Sequence, residues 1–123
     1  MTEQDYNIKL DEKYPPLTMV DLPGLLETVD HPWFNQTLNR VNDCVVRVGV
    51  FEKGEFHWHK HDIEDEFFFV LEGEFIIEIE GETIALQPQQ GYTIPKGVMH
   101  RTRVQKPATI LMMEGKGVQP TGD

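Results

Sequence analysis

Cysteine is almost absent from the sequence: Cys44 is the single one, so no disulfide can form within the chain. We expect Cys44 to be a small buried apolar side chain on a strand, a common role for a free cysteine. Long apolar runs are also missing, since none approaches the roughly 20 residues that a membrane-spanning helix needs. The acidic, polar residues 1–5 are unlike a signal peptide. These absences argue against a membrane partner and predict a cytoplasmic, reducing location.

Basic residues are scarce as well. Eleven lysines and arginines stand against 21 aspartates and glutamates, which gives a formal charge of −10. A surface this negative repels phosphate backbones and anionic lipid headgroups. The densest basic stretch, Arg101 to Arg103 with Lys106 nearby, is too short to offset that repulsion. We therefore expect no nucleic-acid partner and no membrane partner, and a small-molecule ligand or substrate instead.

Prolines divide the chain unevenly. The 123 residues suffice for one domain and leave little room for a second. Prolines at positions 15, 16, 23 and 32 interrupt the first part, and prolines break both helices and sheet ladders. We predict an N-terminal arm (residues 1–34), a barrel (35–114) and an irregular tail (115–123). Asp21 is placed to cap a short helix over residues 23–28, and the arm's apolar side would cover the barrel or a second subunit.

From residue 35 onward the sequence has the pattern of short strands. They are predicted at residues 37–41, 44–51, 55–61, 66–71, 75–80, 83–86, 92–94, 100–104 and 109–114. Turn signals such as Asn42-Asp43 and Glu72-Gly73 separate them, and no long helix intervenes. This spacing predicts an all-β fold, an antiparallel sandwich or barrel. Residues 66–71 are apolar on both faces, so one face should line a cavity and the other should pack against a second sheet or subunit.

Four of the five histidines fall in two clusters, and this clustering points to metal chemistry. His57, His59 and His61 alternate with other residues, so on a strand they would share one face at spacings of about 6.6–7 Å. Imidazoles so placed can converge on one ion. Buried without partners they would be costly, and they add nothing to packing. Glu66 from the next strand and His100 from elsewhere are the natural residues to complete the set.

Two segments resemble the paired motifs of the cupin superfamily. Residues 54–73, GEFHWHKHDIEDEFFFVLEG, are similar to the first motif, G-x5-H-x-H-x3–4-E-x6-G. Residues 91–104, GYTIPKGVMHRTRV, are similar to the second, G-x5-P-x-G-x2-H-x3-N. Both occur in the family's order with one short hairpin between them. Two spacings are shorter here, and Val104 occupies the final asparagine position.

The resemblance implies a fold and a set of metal ligands. The fold would be a single double-stranded β-helix, or jelly-roll barrel, as in small single-domain cupins, including those called mannose-6-phosphate isomerase-like. The ligands of one divalent transition metal ion (Fe, Mn, Ni, Cu or Zn) would be His59, His61, Glu66 and His100. In this alignment His57 becomes a group at the rim of the pocket, and it is kept as a possible extra ligand.

Two classes of function remain open on this basis. The first is a small metalloenzyme, a dioxygenase or an isomerase or lyase, acting on a small oxygenated substrate. Its candidate acid–base residues are His57 and Tyr92, with the acidic loop at residues 62–65 as a further possibility or simply a solvated turn. The second class is a non-catalytic small-molecule-binding protein in which the metal is structural or holds the ligand.

Charge and sheet edges give two further expectations. Strand alternation should turn Arg101 and Arg103 away from the face that carries His100, which argues against a phosphorylated substrate. Exposed sheet edges and the apolar arm favour a homodimer.

Overall fold

The structure, a computed structural model, describes residues 6–115 and 117. Over these residues the chain forms ten strands and one short helix. In chain order the elements are β1 (Tyr6–Lys9), α1 (Leu22–Leu26), β2 (Trp33–Val41), β3 (Cys44–Phe51), β4 (Gly54–Glu55), β5 (Glu66–Glu72), β6 (Phe75–Ile79), β7 (Glu82–Leu86), β8 (Gly91–Ile94), β9 (His100–Val104) and β10 (Ala108–Gly115). Most bounds agree with the predicted strands to within one or two residues.

The strands form two sheets. One has six strands in the order β1-β2-β3-β10-β5-β8, and the other has four in the order β4-β9-β6-β7. Neighbouring strands are antiparallel, except that β1 runs parallel to β2. Sequence neighbours such as β9 and β10 lie in different sheets, so the chain crosses repeatedly between layers, as in a jelly roll. The predicted all-β jelly-roll fold is confirmed.

The main core lies between the two sheets. Phe75 and Ile77 of the small sheet and Val70 and Ile110 of the large sheet are at most 1% exposed. Strand β5 shows how alternation builds this layer, because Glu66, Phe68 and Val70 are buried while the residues between them are only half-buried. One face of β5 is thus buried between the sheets, and its other face is half-buried.

The predicted arm packs against the outer face of the large sheet. Asp21 caps helix α1, accepting a hydrogen bond from the Gly24 amide at 3.2 Å. Leu25 of this helix packs with Phe34, Leu38 and Val48 in a second apolar cluster. The helix starts one residue earlier and ends two residues earlier than predicted. Leu25 is thus buried against the chain's own sheet, one of the two predicted alternatives for the arm.

Strand β1 is a feature that the sequence pattern did not indicate. Its four residues add a parallel edge strand beside β2, with Tyr6 opposite Trp33. β2 itself begins at Trp33, so the large sheet includes residues assigned to the arm. The division into arm, barrel and tail remains a prediction, and most of the tail lies outside the described residues.

Cys44 differs from its prediction. It does begin strand β3, but its side chain is exposed rather than buried. The reason is its place at the end of the sheet, directly after the Asn42-Asp43 turn, where none of the described residues forms a covering layer. In the described part of the chain, no helix is long and apolar enough to cross a membrane.

Candidate metal centre

Three separate segments bring the four predicted ligands together. His59 and His61 lie between β4 and β5, Glu66 begins β5, and His100 begins β9. The strand predicted over residues 55–61 is wrong for most of its length, because regular pairing stops at Glu55. In its place His59 makes one bridge to His100, with the amide of each donating to the carbonyl of the other at 2.9 and 2.8 Å. This bridge aligns the two imidazoles without a continuous strand.

The potential ligand atoms of His59, His61, Glu66 and His100 all lie within 4.8 Å of one another. Glu66 Oε1 is 3.4 Å from His61 Nε2 and 3.6 Å from His100 Nε2. Atoms that each bind one ion at about 2.1 Å are roughly 3–4 Å apart. The observed separations therefore match a shared ion better than direct hydrogen bonds between the side chains.

Backbone carbonyls set the orientation of two imidazoles. His59 Nδ1 donates to the His57 carbonyl at 2.9 Å, and His100 Nδ1 donates to the Val98 carbonyl at the same distance. A carbonyl oxygen can only accept, so the hydrogen of a neutral ring resides on Nδ1. The Nε2 lone pair is then free to bind a metal, as in metal-ligating histidines whose other nitrogen is held by a partner outside the ligand set.

The protonation of these groups also suits a cation. Burial, the largest effect, lowers the pKa of His59 to about 4, so this ring is neutral at pH 7. Burial acts to raise the pKa of Glu66, but its contacts with Glu114, His100 and His61 outweigh burial and hold that pKa well below its usual range. Glu66 Oε1 and His100 Nε2 are buried and make no hydrogen bond within residues 6–115 and 117. An anionic oxygen and an imidazole nitrogen left in this state fit a transition metal ion.

A buried ion pair next to the site was missed by sequence reasoning. Arg47 Nε lies 2.6 Å from Glu114 Oε1, and both side chains are almost fully buried. Glu114 is directly opposite Glu66 on the neighbouring strand. Burial and the Glu66 carboxylate raise the pKa of Glu114 to about 10, against the opposing effect of Arg47. The available signal was a lone arginine in the apolar strand CVVRVGVF, which implies a buried partner.

The other predicted site residues lie outside this group. His57 is exposed and contributes its carbonyl to His59, with the two rings 5.3 Å apart, so it stands at the rim. Tyr92 packs against the main core cluster. In the acidic loop, Asp62 pairs with Lys60, and Asp65 accepts from the Lys96 amide at 2.9 Å. Both aspartates are exposed, which fits the interpretation of the loop as a solvated turn.

A mostly apolar cavity adjoins two of the four ligands, His59 and Glu66. The cavity has a volume of about 50 Å³. Neither His57 nor Tyr92 is among the described residues that line the cavity. The lining residues are Tyr6, Ile8, Trp33, Asn35, Phe51, Phe56, His59, Glu66, Phe68, Phe75, Thr102, Met112 and Glu114. Arg101 and Arg103 instead pair with Glu78 at 3.3 and 2.5 Å, turned away from His100 as predicted.

Comparisons with known proteins agree with this architecture. The sequence model of the cupin domain family matches residues 46–114. The uncharacterized protein YdbB of Bacillus subtilis (strain 168) is 39% identical over 99 residues, which span 80% of this chain and 87% of that protein. The crystal structure of a cupin-2 domain containing protein from Shewanella frigidimarina is 30% identical, with a TM-score of 0.74 over 79% of this chain and 94% of that one. KdgF from Halomonas sp. has the same fold at 19% identity, with a TM-score of 0.65 over 74% of this chain and 84% of that one.

Proposed function

This chain belongs to the cupin family, and we propose that it is a metalloenzyme acting on a small oxygenated organic substrate. One divalent transition metal ion would be held by His59, His61, Glu66 and His100. The observation that carries the proposal is the convergence of their ligand atoms within 4.8 Å beside a cavity. Glu66 Oε1 and His100 Nε2 also have no hydrogen-bond partner among the residues that the structure describes.

The mixed nitrogen and oxygen ligand set suits Fe, Mn, Ni, Cu or Zn. When bound, such an ion supplies Lewis acidity or, if redox-active, the activation of dioxygen. A dioxygenase and an isomerase or lyase both fit this chemistry. Iron content with substrate-dependent oxygen uptake would identify the former, and turnover without oxygen would identify the latter.

The chain's own residues have separate tasks in this proposal. The carbonyls of His57 and Val98 keep the His59 and His100 rings in the orientation that presents Nε2. The aromatic wall excludes bulk water, which strengthens polar interactions inside the cavity. Glu114, which lines the same cavity, is placed to exchange a proton with a bound molecule, and Arg47 holds it there.

A second candidate is a non-catalytic small-molecule-binding protein in which the metal is structural or holds the ligand. One observation favours it: the acid–base residues expected from the sequence, His57 and Tyr92, do not line the described cavity. This candidate predicts ligand binding without turnover.

Elemental analysis by plasma mass spectrometry tests the metal site. We expect about one equivalent of metal in the untagged protein and its loss in the His59→Ala, His100→Ala double variant. His31→Ala is the matched control, since His31 lies on the arm beside Asp30, and it should retain the metal. Metal kept by the double variant, or a protein that binds none and takes up none on addition, would refute the site.

We also propose a homodimer and a cytoplasmic location. The outer face of β5 exposes a half-buried apolar strip formed by Phe67, Phe69 and Leu71, with Met113 beside it on β10. The arm covers β2 and β3 but not this strip. A monomeric mass by light scattering would refute the dimer.

The cytoplasmic location rests on the single cysteine, and fractionation of cells would check it.

A further inference from the structure

We infer that the cavity beside the metal site takes a small, flat, uncharged molecule whose hydroxyl group is held by the carboxyl of Glu114. This inference deepens the proposed function and rests on it, because it assigns the ligand to the same cavity. It is drawn from three features of the lining: the shape of its walls, the kind of polar atoms they carry, and the position of the nearest positive charge.

Aromatic rings form most of the wall. Tyr6, Trp33, Phe51, Phe56, Phe68 and Phe75 all line the cavity. The Trp33 ring lies 4.3 Å from Phe51 and stacks on Phe56 at 5.7 Å, and Phe51 stacks on Phe75 at 6.0 Å. The indole Nε1 of Trp33 donates to the Lys53 carbonyl at 3.4 Å, so the hydrogen-bonding edge of this ring has a protein partner. Such walls favour a planar guest, because aromatic groups gain from stacked and edge-to-face contacts beyond the area they bury.

The buried polar atoms of the wall that lack a partner among the described residues are hydrogen-bond acceptors. Asn35 Oδ1, Glu66 Oε1 and Glu114 Oε2 are buried and make no hydrogen bond within the described residues. A buried acceptor without a partner is costly, so the native ligand should bring a donor. Glu66 belongs to the metal ligands, which leaves Glu114 as the carboxyl that can meet the ligand. A hydroxyl group suits it in either protonation state, since a hydroxyl both donates and accepts.

Charge argues against an anionic guest. The cavity contains two carboxyl groups, and the described lining includes no lysine or arginine. The arginine beside the site, Arg47, is directed to Glu114 at 2.6 Å. Arg101 and Arg103 are directed to Glu78 on the opposite side of β9. A carboxylate or phosphate group placed on Glu114 would therefore meet a carboxyl group with no basic side chain to pair with, and only a bound metal ion could offset this. Together these features point to a phenol-like or enol-like molecule.

Trp33 offers a built-in reporter for this inference. The chain has two tryptophans, and the second, Trp58, is 44% exposed beside Arg101 and away from the cavity. A Trp58→Phe protein thus reports through Trp33 alone. Four probes of similar size separate the features: phenol, toluene without the hydroxyl, cyclohexanol without the flat ring, and benzoate with a negative charge. Each is titrated against metal-free and zinc-loaded protein, with calorimetry as an independent readout.

In the metal-free protein we expect phenol to bind at least about tenfold more tightly than cyclohexanol and benzoate, and about fivefold more tightly than toluene. Benzoate or cyclohexanol binding as well as phenol, or no probe changing Trp33 emission or heat, would overturn the inference. The metal assay stands apart from this test. If phenol binds selectively while no metal binds, the ligand inference holds and the proposed function fails. If metal binds but phenol is not bound selectively, the proposed function holds and the ligand inference fails.

The role of Glu114 is tested by removing both members of its ion pair. Replacing a buried pair with apolar residues often leaves stability intact, so the variant is Arg47→Met, Glu114→Leu. It should bind phenol no more tightly than toluene. The matched control, Arg103→Met, Glu78→Leu, removes a surface pair of the same composition and should keep the preference. Phenol preference retained in the first variant would refute the assignment. Should that variant not fold, Glu114→Asp, which withdraws the carboxylate by one methylene, must lower the preference or the assignment fails.

Discussion

Glu66 and Glu114 lie directly opposite each other on antiparallel strands β5 and β10, and both carboxyl groups line the same cavity. Two like charges facing each other across a sheet are unfavourable. The pKa values of the two carboxyl groups therefore shift in opposite directions. The pKa of Glu66 is held well below its usual range, and burial raises the pKa of Glu114 to about 10. At neutral pH Glu66 is thus the anionic member that can bind a cation, while Glu114 takes up a proton more readily than an ordinary carboxyl and stays paired with Arg47.

Removing Glu114 alone should be more damaging than removing it together with Arg47. Glu114→Leu leaves the guanidinium of Arg47 buried without its partner, so we expect a loss of about 3–5 kcal/mol in the free energy of unfolding. The Arg47→Met, Glu114→Leu double variant should recover most of this loss. Urea unfolding of the metal-free proteins measures both. If the free energy of unfolding of Glu114→Leu lay within about 1 kcal/mol of the parent value, Arg47 would not depend on Glu114 as a buried partner.

The stability of the metal-free protein should fall in mild acid because of His59. Burial lowers the pKa of His59 to about 4 in the folded protein, whereas the unfolded value is 6.5. Between these values the unfolded chain binds the additional proton, so stability is present above pH 6.5 and is lost as pH falls toward 4. The His59 contribution amounts to about 3 kcal/mol at most.

His59→Gln is the comparison for this pH dependence. Its free energy of unfolding, measured in chelator from pH 7 to pH 4, should fall less steeply than that of the parent. Parallel curves for the two proteins would show that His59 does not titrate as its burial implies.

Metal should stabilise the fold. An ion that binds only the folded state adds about 2.7 kcal/mol at a concentration one hundred times its Kd. Zinc added to chelator-treated protein should therefore raise the unfolding temperature, and chelator should reverse the gain. His100→Ala should abolish the response, because it removes a buried ligand atom. An equal shift in parent and variant would indicate binding elsewhere.

Alanine substitutions at two turn glycines would distinguish the cost of backbone strain from the cost of steric overlap. Gly73 and Gly81 both have positive φ, at +83° and +76°. A Cβ at Gly73 would lie 2.5 Å from the Pro107 carbonyl, whereas at Gly81 nothing lies within 4 Å. Gly81→Ala should cost only the left-handed penalty of about 1–2 kcal/mol. Gly73→Ala should cost clearly more, and equal unfolding midpoints would show that the 72–74 turn can move away from Pro107.

The strand bounds illustrate how far local pattern reaches. β3 and β9 begin and end where predicted, because β-branched content and turn residues are local properties. β1 was not foreseen, since four residues carry too short a pattern and its pairing partner is 27 positions away, with Tyr6 opposite Trp33. The strand predicted over residues 55–61 is wrong beyond Glu55, although the alternating histidines suggested it. Tertiary contacts with His100 and Gly97 hold this segment instead.

At the site, the resemblance of residues 54–73 and 91–104 to the paired cupin motifs was enough to name His59, His61, Glu66 and His100, because a family's ligand residues keep their type and their place in its motifs. The structure brings these four together. Spacing could not reveal the Arg47–Glu114 pair or the exposure of Cys44, since burial depends on which strands become neighbours and where the sheet ends. The aromatic cavity likewise gathers residues from β1 to β10, and no local stretch encodes its walls. The sequence determines which chemical groups the chain carries. Long-range packing of the strands decides which of these side chains are buried together.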